Sequence, residues 1–437
     1  MSRRYVQCED TSVNEQIDSH LQLVVKAILK NTPKVRSIII AGGFGKGEGS
    51  FKLTKDGKVR CLRDFDIVCI VDRKPNLEAV DELHDQIYKS LGLKNPESSV
   101  FGREQSFMID LKFLRKDDLI YPDIYFYDLK AASQILWGED VRGLIPWTKN
   151  DVPLSSGLRL LFEKVSGLLG HFSIAYMQGK TPTYQEKESL VSECCKTFIE
   201  IGTALCILAG KYEPKYTQRA KALANFYATQ FPELARVLPE LPKRVTEYTD
   251  LRLRSYSLEN YEDPVDLWFS AQSYLREVLS FYLKRYIGKS LSDWNTLPTL
   301  MRAVARDYYK PFLGPLLRAR LHFSRRFVLD VANLLYQGLT NLEYVYVVAM
   351  KQGRIHLRPL LRSHISPSLK FFSAGVMLLF SLNRDATIEK GLLKSAAKEL
   401  SNCIPVKISS FDVSGWEELR CRFLKAHSLY KGYHLVK

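Results

Sequence analysis

Apolar positions recur along this chain with two different periods, and the change from one to the other divides it. Residues 14–31 carry Ile17, Leu21, Val24, Val25, Ile28 and Leu29 at three- and four-residue spacing, which predicts a helix. Pro33 ends it. Val35–Ala41 is then a β-branched run that predicts a buried strand, followed by a glycine-rich turn over Gly42–Gly49. Ser50–Leu62 contains Lys55-Asp56-Gly57-Lys58, a hairpin turn signal. Phe65–Val71 and Phe107–Leu114 predict two further strands, with a helix over Asn76–Leu91 between them. A short helix over Leu129–Leu136 is expected to close this part before Trp137-Gly138, with a loop around Ile145–Leu154. That order predicts a small α/β (α+β) domain with a mixed sheet.

From Ser155 onward the helical period takes over. Helices are expected over Ser156–Phe172, Tyr184–Leu208, Gln218–Thr229, Pro264–Tyr286, Leu297–Asp307, Leu316–Gln337 and Ile388–Leu400. Thr183 is placed to start the second of these and Gly210 to stop it. Tyr344–Met350 fits either a strand or a buried helix. The first domain is thus followed by a large, mostly α-helical region. Boundaries near 150 and 287 divide the chain into 1–150, a helical 151–287 and a basic, mostly helical 288–437.

Length alone, 437 residues, already favours more than one core. Charge sharpens the third part. Residues 284–437 hold 25 Lys/Arg against 10 Asp/Glu, so the whole net charge of +15 lies there, and residues 1–283 balance. Such an excess suits an anionic partner (nucleic acid, a phosphorylated substrate or an acidic membrane surface) or is simply a solvated helix surface. The eight cysteines have no C-x-x-C spacing and read as small core residues of a reducing compartment. No secretory segment follows Met1, and the longest apolar run, Phe371–Leu382, is too short to span a bilayer. A cytoplasmic protein without a transmembrane segment is expected.

Three components could carry chemistry. In Gly42-Gly43-Phe44-Gly45-Lys46-Gly47-Glu48-Gly49, bare glycines let backbone amides approach an anion, and Lys46 has the sign a triphosphate needs. The pattern is neither a Walker loop nor a dinucleotide fingerprint, since residue 48 is Glu. Asp64 and Asp66 flank Phe65, so alternation puts both carboxylates on one face, about 7 Å apart. Asp110 interrupts an apolar strand, where a charge needs a partner or a metal. Three converging carboxylates suit hard cations such as Mg²⁺. Asp123 and Asp128 are alternatives to Asp110, set in what reads as a loop beside Pro122.

In this order the components resemble the DNA polymerase β-like nucleotidyltransferase superfamily, near its minimal nucleotidyltransferase branch with uncharacterised, mainly prokaryotic members. The resemblance rests on Gly42-Gly43, Lys46-Gly47-Glu48, Asp64-Phe65-Asp66 and Asp110, and covers about the first 145 residues. It implies a nucleotidyltransferase domain in which Gly42, Gly43, Lys46 and Glu48 bind the nucleotide. Asp64, Asp66 and Asp110 would be catalytic and ligate Mg²⁺, with Mn²⁺ as a substitute. The implied reaction moves an NMP from an NTP such as ATP to a hydroxyl or phosphate acceptor and releases pyrophosphate. The gap from Gly43 to Asp64 is longer than usual in that family, and a hairpin inserted at 55–58 would account for it.

Weaker signals lie outside this set. Arg159 and Lys164 could reach a triphosphate, and Tyr212–Tyr216 with Arg219 a substrate, although a helix-connecting turn also explains the latter. Arg358 and His364 resemble the Arg/His pair of helical RNases, with Pro359 against it. Tyr308–Lys310 and Arg318–Phe327 mix basic and aromatic residues suited to a nucleic-acid backbone. A non-catalytic protein of the same fold, binding nucleic acid or another anion through residues after 284, is the rival expectation. A protein-nucleotidylating toxin is a third, although its usual members are much smaller.

Overall fold

The computed structural model describes residues 3–62, 64–93, 108–254, 258, 261–321, 326–352 and 356–434. By its own contacts the chain forms two compact units. The first comprises Met1–Val152, Gly210–Ala222 and Thr246–Leu258, and the second Pro153–Ala209, Leu223–Val245 and Glu259–Lys437.

The first unit opens with α1 (Thr11–Asn31), capped by the Asp10 carboxylate, and runs through β1 (Val35–Ile40), the single turn α2 (Gly42–Gly45), β2 (Phe51–Leu53), β3 (Val59–Cys61) and β4 (Phe65–Val71). There follow α3 (Leu77–Ser90), β5 (Ile109–Leu114), α4 (Ile124–Ala132) and β6 (Gln134–Gly138). Four strands make a mixed sheet in the order β5-β4-β1-β6, with β4 and β5 parallel and the other pairs antiparallel. The strand period of two sorts its side chains onto two cores. Ile38, Ile40, Ile67, Cys69 and Val71 join Leu21, Val24 and Ile28 of α1 and Ile87 of α3; Ile39, Val68, Ile70 and Leu114 join Phe126 and Leu129 of α4. The hairpin expected between glycine turn and acidic strand is present as β2–β3, turning through Gly57 at φ +75°.

Two expectations need correction here. The helix expected over Leu129–Leu136 is α4, earlier by a few residues, and Gln134–Gly138 is instead a strand pairing with β1. The Pro122 neighbourhood is not simply loop: Asp123 caps α4, accepting from the Tyr125 amide at 2.9 Å, and Asp128 lies within it. Phe107, the expected first residue of β5, lies outside the described residues.

The second unit is helical. It contains α5 (Leu154–His171), α6 (Tyr184–Leu208), part of α7 (Tyr216–Gln230), α8 (Pro232–Val237), part of α9 (Leu241–Arg254) and α10 (Pro264–Ile287). It continues with α11 (Leu297–Asp307), α12 (Lys310–Leu321), α13 (Arg326–Gln352), α14 (Arg358–Leu361), α15 (Pro367–Phe380), α16 (Lys390–Leu400) and α17 (Val413–His434). Thr183 and Glu186 form a capping box at the start of α6, as the Thr183 signal implied. The described parts of the helix expected over Leu316–Gln337 are helical, in α12 and α13, and residues 322–325 lie outside the described residues; α13 runs on through Tyr344–Met350, which is therefore helical. The apolar run at 371–382 lies mostly in α15, whose residues are all buried. Lys370 is among them; burial pushes its amine down to about 8, and it donates to Asn341 Oδ1 and the Pro359 carbonyl, both at 2.7 Å. Among the described residues no helix is long and apolar enough to cross a membrane. None of the eight cysteines forms a disulfide; six are buried, Cys8 is half-buried and Cys421, contrary to expectation, is exposed.

Candidate active site

Strand parity decides which side chains meet. Val68 and Ile70 of β4 and Leu114 of β5 face the α4 core, so Asp66 and Asp110, an even number of residues away, lie on that same face. The parallel register pairs Asp66 directly with Asp110, and the pairing extends backwards through the Phe65 amide to the Met108 carbonyl at 2.9 Å. Asp64 precedes the strand and is exposed; Asp66 is half-buried. Asp110 stands on the outermost strand of the sheet, open to solvent as a residue but with enough protein packed around its carboxyl to cost it hydration, which corrects the expectation of a charge inside a buried strand.

The glycine turn closes on these acids. The Ala41 amide donates to the Asp66 carbonyl at 2.8 Å. Gly42 sits at φ +59°, and a Cβ there would fall 1.7 Å from Asp66 Oδ2, so only glycine lets the turn and the carboxylate coexist. Most amides of the run are already engaged and do not offer themselves to an anion. Amides of Gly45, Lys46, Gly47, Glu48 and Gly49 donate to the carbonyls of Ala41, Gly42, Phe44, Gly43 and Tyr5. Those of Gly42, Gly43 and Phe44 begin the turn and have no acceptor within it.

Lys46 and Glu48 both have protein partners. Lys46 is buried, its ammonium 2.5 Å from Asp128 Oδ2 and 4.9 Å from the centre of the Tyr216 ring. Asp128 also accepts from the Tyr212 hydroxyl at 2.6 Å. Glu48 is buried too. Its carboxylate accepts from the Tyr216 amide at 2.6 Å, the Thr217 amide at 3.1 Å and the Thr217 hydroxyl at 2.6 Å, capping the start of α7. The Lys-Gly-Glu run thus fastens Gly210–Ala222 to the sheet. Arg219 and Arg252 also approach the Tyr216 ring, at 4.5 and 5.6 Å. Of this cluster the sequence drew attention to Tyr212, Tyr216 and Arg219 but not to Arg252, which no local pattern marks.

Electrostatics around the acids is that of crowded negative charge. The Asp110 carboxyl is raised above the ordinary range, first by lost hydration and then by the charge of Asp64. Tyr125, on α4, has its hydroxyl pushed well up by burial, with Asp66 and Asp110 adding to the effect, and Lys112 lies 3.8 Å over its ring. His84 on α3 has its imidazole lowered by burial while Asp110 pulls the other way. Tyr125 and His84 are neighbours of the acids that carry no sequence signature. Oxygen-only donors on adjacent strands are the chemistry a hard divalent cation prefers, and a cation would relieve the repulsion recorded at Asp110. Among the described residues, however, no three His, Cys, Asp or Glu side chains stand already arranged as a metal ligand set.

A stability test follows from Asp110. A carboxyl with a raised folded-state pKa binds its proton more tightly in the folded chain, so its contribution is intact below the unfolded value of 3.8 and is lost as pH rises through the raised value. Asp110→Asn is therefore expected to raise the Tm at pH 7 in the presence of EDTA, and the gain should shrink toward zero below pH 3.8. A gain independent of pH would mean that charge is not its cause.

The other weak candidates stand as follows. Arg159 lies 3.9 Å from Glu163 on its own helix, and Lys164 is paired with buried Glu193 at 2.8 Å. Arg358 and Pro359 start the short α14, while His364 lies beyond its end. Part of the Arg318–Phe327 stretch, residues 322–325, lies outside the described residues. Comparison with protein-family models and with curated proteins finds no match for this chain.

Proposed function

We propose that the acidic end of the small sheet is the active centre of a nucleotidyltransferase, which transfers an NMP from an NTP to a hydroxyl or phosphate acceptor and releases pyrophosphate. The observation that carries this reading is the contact of Gly42 with Asp66 beside register-paired Asp110, which sets a glycine turn and carboxylates at one edge. Asp64, Asp66 and Asp110 would hold Mg²⁺, or Mn²⁺ in its place. Bound there, the cation supplies charge neutralisation for the triphosphate and the leaving pyrophosphate. The chain's own groups do the rest. The Gly42 and Gly43 amides face the phosphates, and Asp110, with its raised affinity for a proton, takes the acceptor's proton on its carboxylate. Lys46 and Glu48 act here as positioning residues that fix the turn through Asp128 and the start of α7.

The test is pyrophosphate release from each NTP with Mg²⁺ and a panel of RNA, DNA and protein acceptors, beside calorimetric binding of Mg-NTP. Binding with turnover supports the reading; neither binding nor turnover removes it. The net charge of +15, all of it in residues 284–437, favours a second reading, a non-catalytic fold that holds nucleic acid or another anion through those basic residues. Salt-dependent RNA binding that persists in Asp64→Ala, without turnover, would single it out.

A further inference from the structure

Helix α13 carries large apolar side chains outward as well as inward. Its buried face is polar over Asn333, Gln337, Thr340 and Asn341 and turns apolar at Tyr344, Val347 and Val348. The donors of Asn333, Gln337 and Asn341 are satisfied at the ends of neighbouring elements and that of Thr340 by the Gln337 carbonyl of its own helix, whereas Asn333 Oδ1 is buried without a partner. Asn333 donates to the carbonyls of Ala305 and Arg306 at 3.0 and 3.1 Å, Gln337 to Ala305 at 2.9 Å, and Asn341 to Ile365 at 2.9 Å. The outward face is a row of large apolar side chains. Phe327 is 76% exposed, Met350 70%, Leu335 61% and Leu342 54%.

Leu334 apart, which is also exposed and has Glu343 at its mirror position, this row is palindromic. Pairing each residue with its mirror image about the Gly338–Leu339 bond matches Phe327 with Met350, Val331 with Tyr346, and Leu335 with Leu342. The small Val331 meets the large Tyr346. At the centre, Leu339 meets Gly338, where a side chain would find nothing within 4 Å. The same operation exchanges the two i±4 ridges, 327-331-335-339 and 338-342-346-350. A surface that maps onto itself under a twofold axis is what an isologous interface requires. The row is a contiguous set of exposed large apolar side chains, unlike the scattered single ones a monomer's surface ordinarily carries.

We infer that α13 is the interface of a homodimer, packing antiparallel against α13 of a second copy of this chain about an axis at Gly338–Leu339. The inference stands independently of nucleotidyl transfer. Its partner is chosen by the self-complementary order of sizes along the row, which a lipid surface would not demand.

The test uses the full chain, with Cys421→Ser to remove the exposed thiol. Light scattering across a concentration series should give twice the chain mass. The double substitution Leu335→Glu with Leu342→Glu, which sets like charges against each other, should raise the dissociation constant by at least about 100-fold with the helical circular dichroism unchanged. Under mild oxidation Leu339→Cys should cross-link to itself, and Leu335→Cys to Leu342→Cys when the two are mixed. Phe327→Cys should not cross-link to itself, because its two copies stand about 35 Å apart along antiparallel helices. A monomer at every concentration overturns the proposal. So does Phe327→Cys self-linkage as efficient as that of Leu339→Cys, which would mean parallel helices. Binding of a monomer to phosphatidylserine vesicles that the double Glu substitution abolishes would assign the face to lipid instead.

Discussion

Asp66→Ala is expected to lower pyrophosphate release by at least about 10³-fold, a loss of ~4 kcal/mol of transition-state stabilisation. Asp66 is the carboxylate shared by every relationship at the site. It lies against Gly42 and in register with Asp110. Stability should not fall with activity. The side chain is half-buried, and removing it relieves Tyr125 of a negative neighbour. An unchanged or higher Tm together with lost turnover is the signature of a catalytic carboxylate. Retained turnover in a folded Asp66→Ala protein would move the active centre elsewhere.

Glu48→Ala should have the opposite profile, with its primary effect on folding. Three donors at the start of α7, the Tyr216 and Thr217 amides and the Thr217 hydroxyl, converge on this buried carboxylate. Alanine would leave them without their acceptor in a place where water replaces it poorly, a penalty of about 3 kcal/mol overall. Urea unfolding should show the midpoint falling while the slope stays constant, and protease cleavage within 210–222 should quicken. Glu48→Gln keeps one acceptor oxygen and should recover part of the loss. Wild-type stability in Glu48→Ala would show that the 210–222 segment is held by other contacts.

The two substitutions also mark how far the sequence could be read. Local signals were sufficient where the determinants are local. The β-branched runs of β1 and β4, the Asp-Gly turn at 56–57, and the Thr183 capping box all lie where periodicity and turn chemistry put them. Asp64, Asp66 and Asp110 were marked by alternation, and parity then accounts for the shared face of Asp66 and Asp110. What local reading missed depends on distant partners. The role of Glu48 is set by residues 168 and 169 positions later, and that of Lys46 by Asp128, 82 positions away. β6 was taken into the preceding helix because only Leu136 of its five residues is buried, leaving no alternation to find. Asp110 was expected inside the sheet because an apolar run cannot announce that its strand is an edge. In the first half of α13 the buried residues are polar and large apolar ones face outward, so a rule that sends apolar residues to the core misplaces that face.

The fastening of Glu48 to residues 216 and 217 also fixes a timetable. The first unit is completed by Gly210–Ala222 and Thr246–Leu258, so a ribosome that has released Val152 has not yet made all of it. At bacterial-to-eukaryotic elongation rates the missing hundred or so residues take about 5–20 s to appear. Until then Glu48 is a carboxylate without its acceptor-seeking helix end, and α6 emerges into the interval. The two units are therefore interleaved in synthesis, and neither is finished before the other has begun.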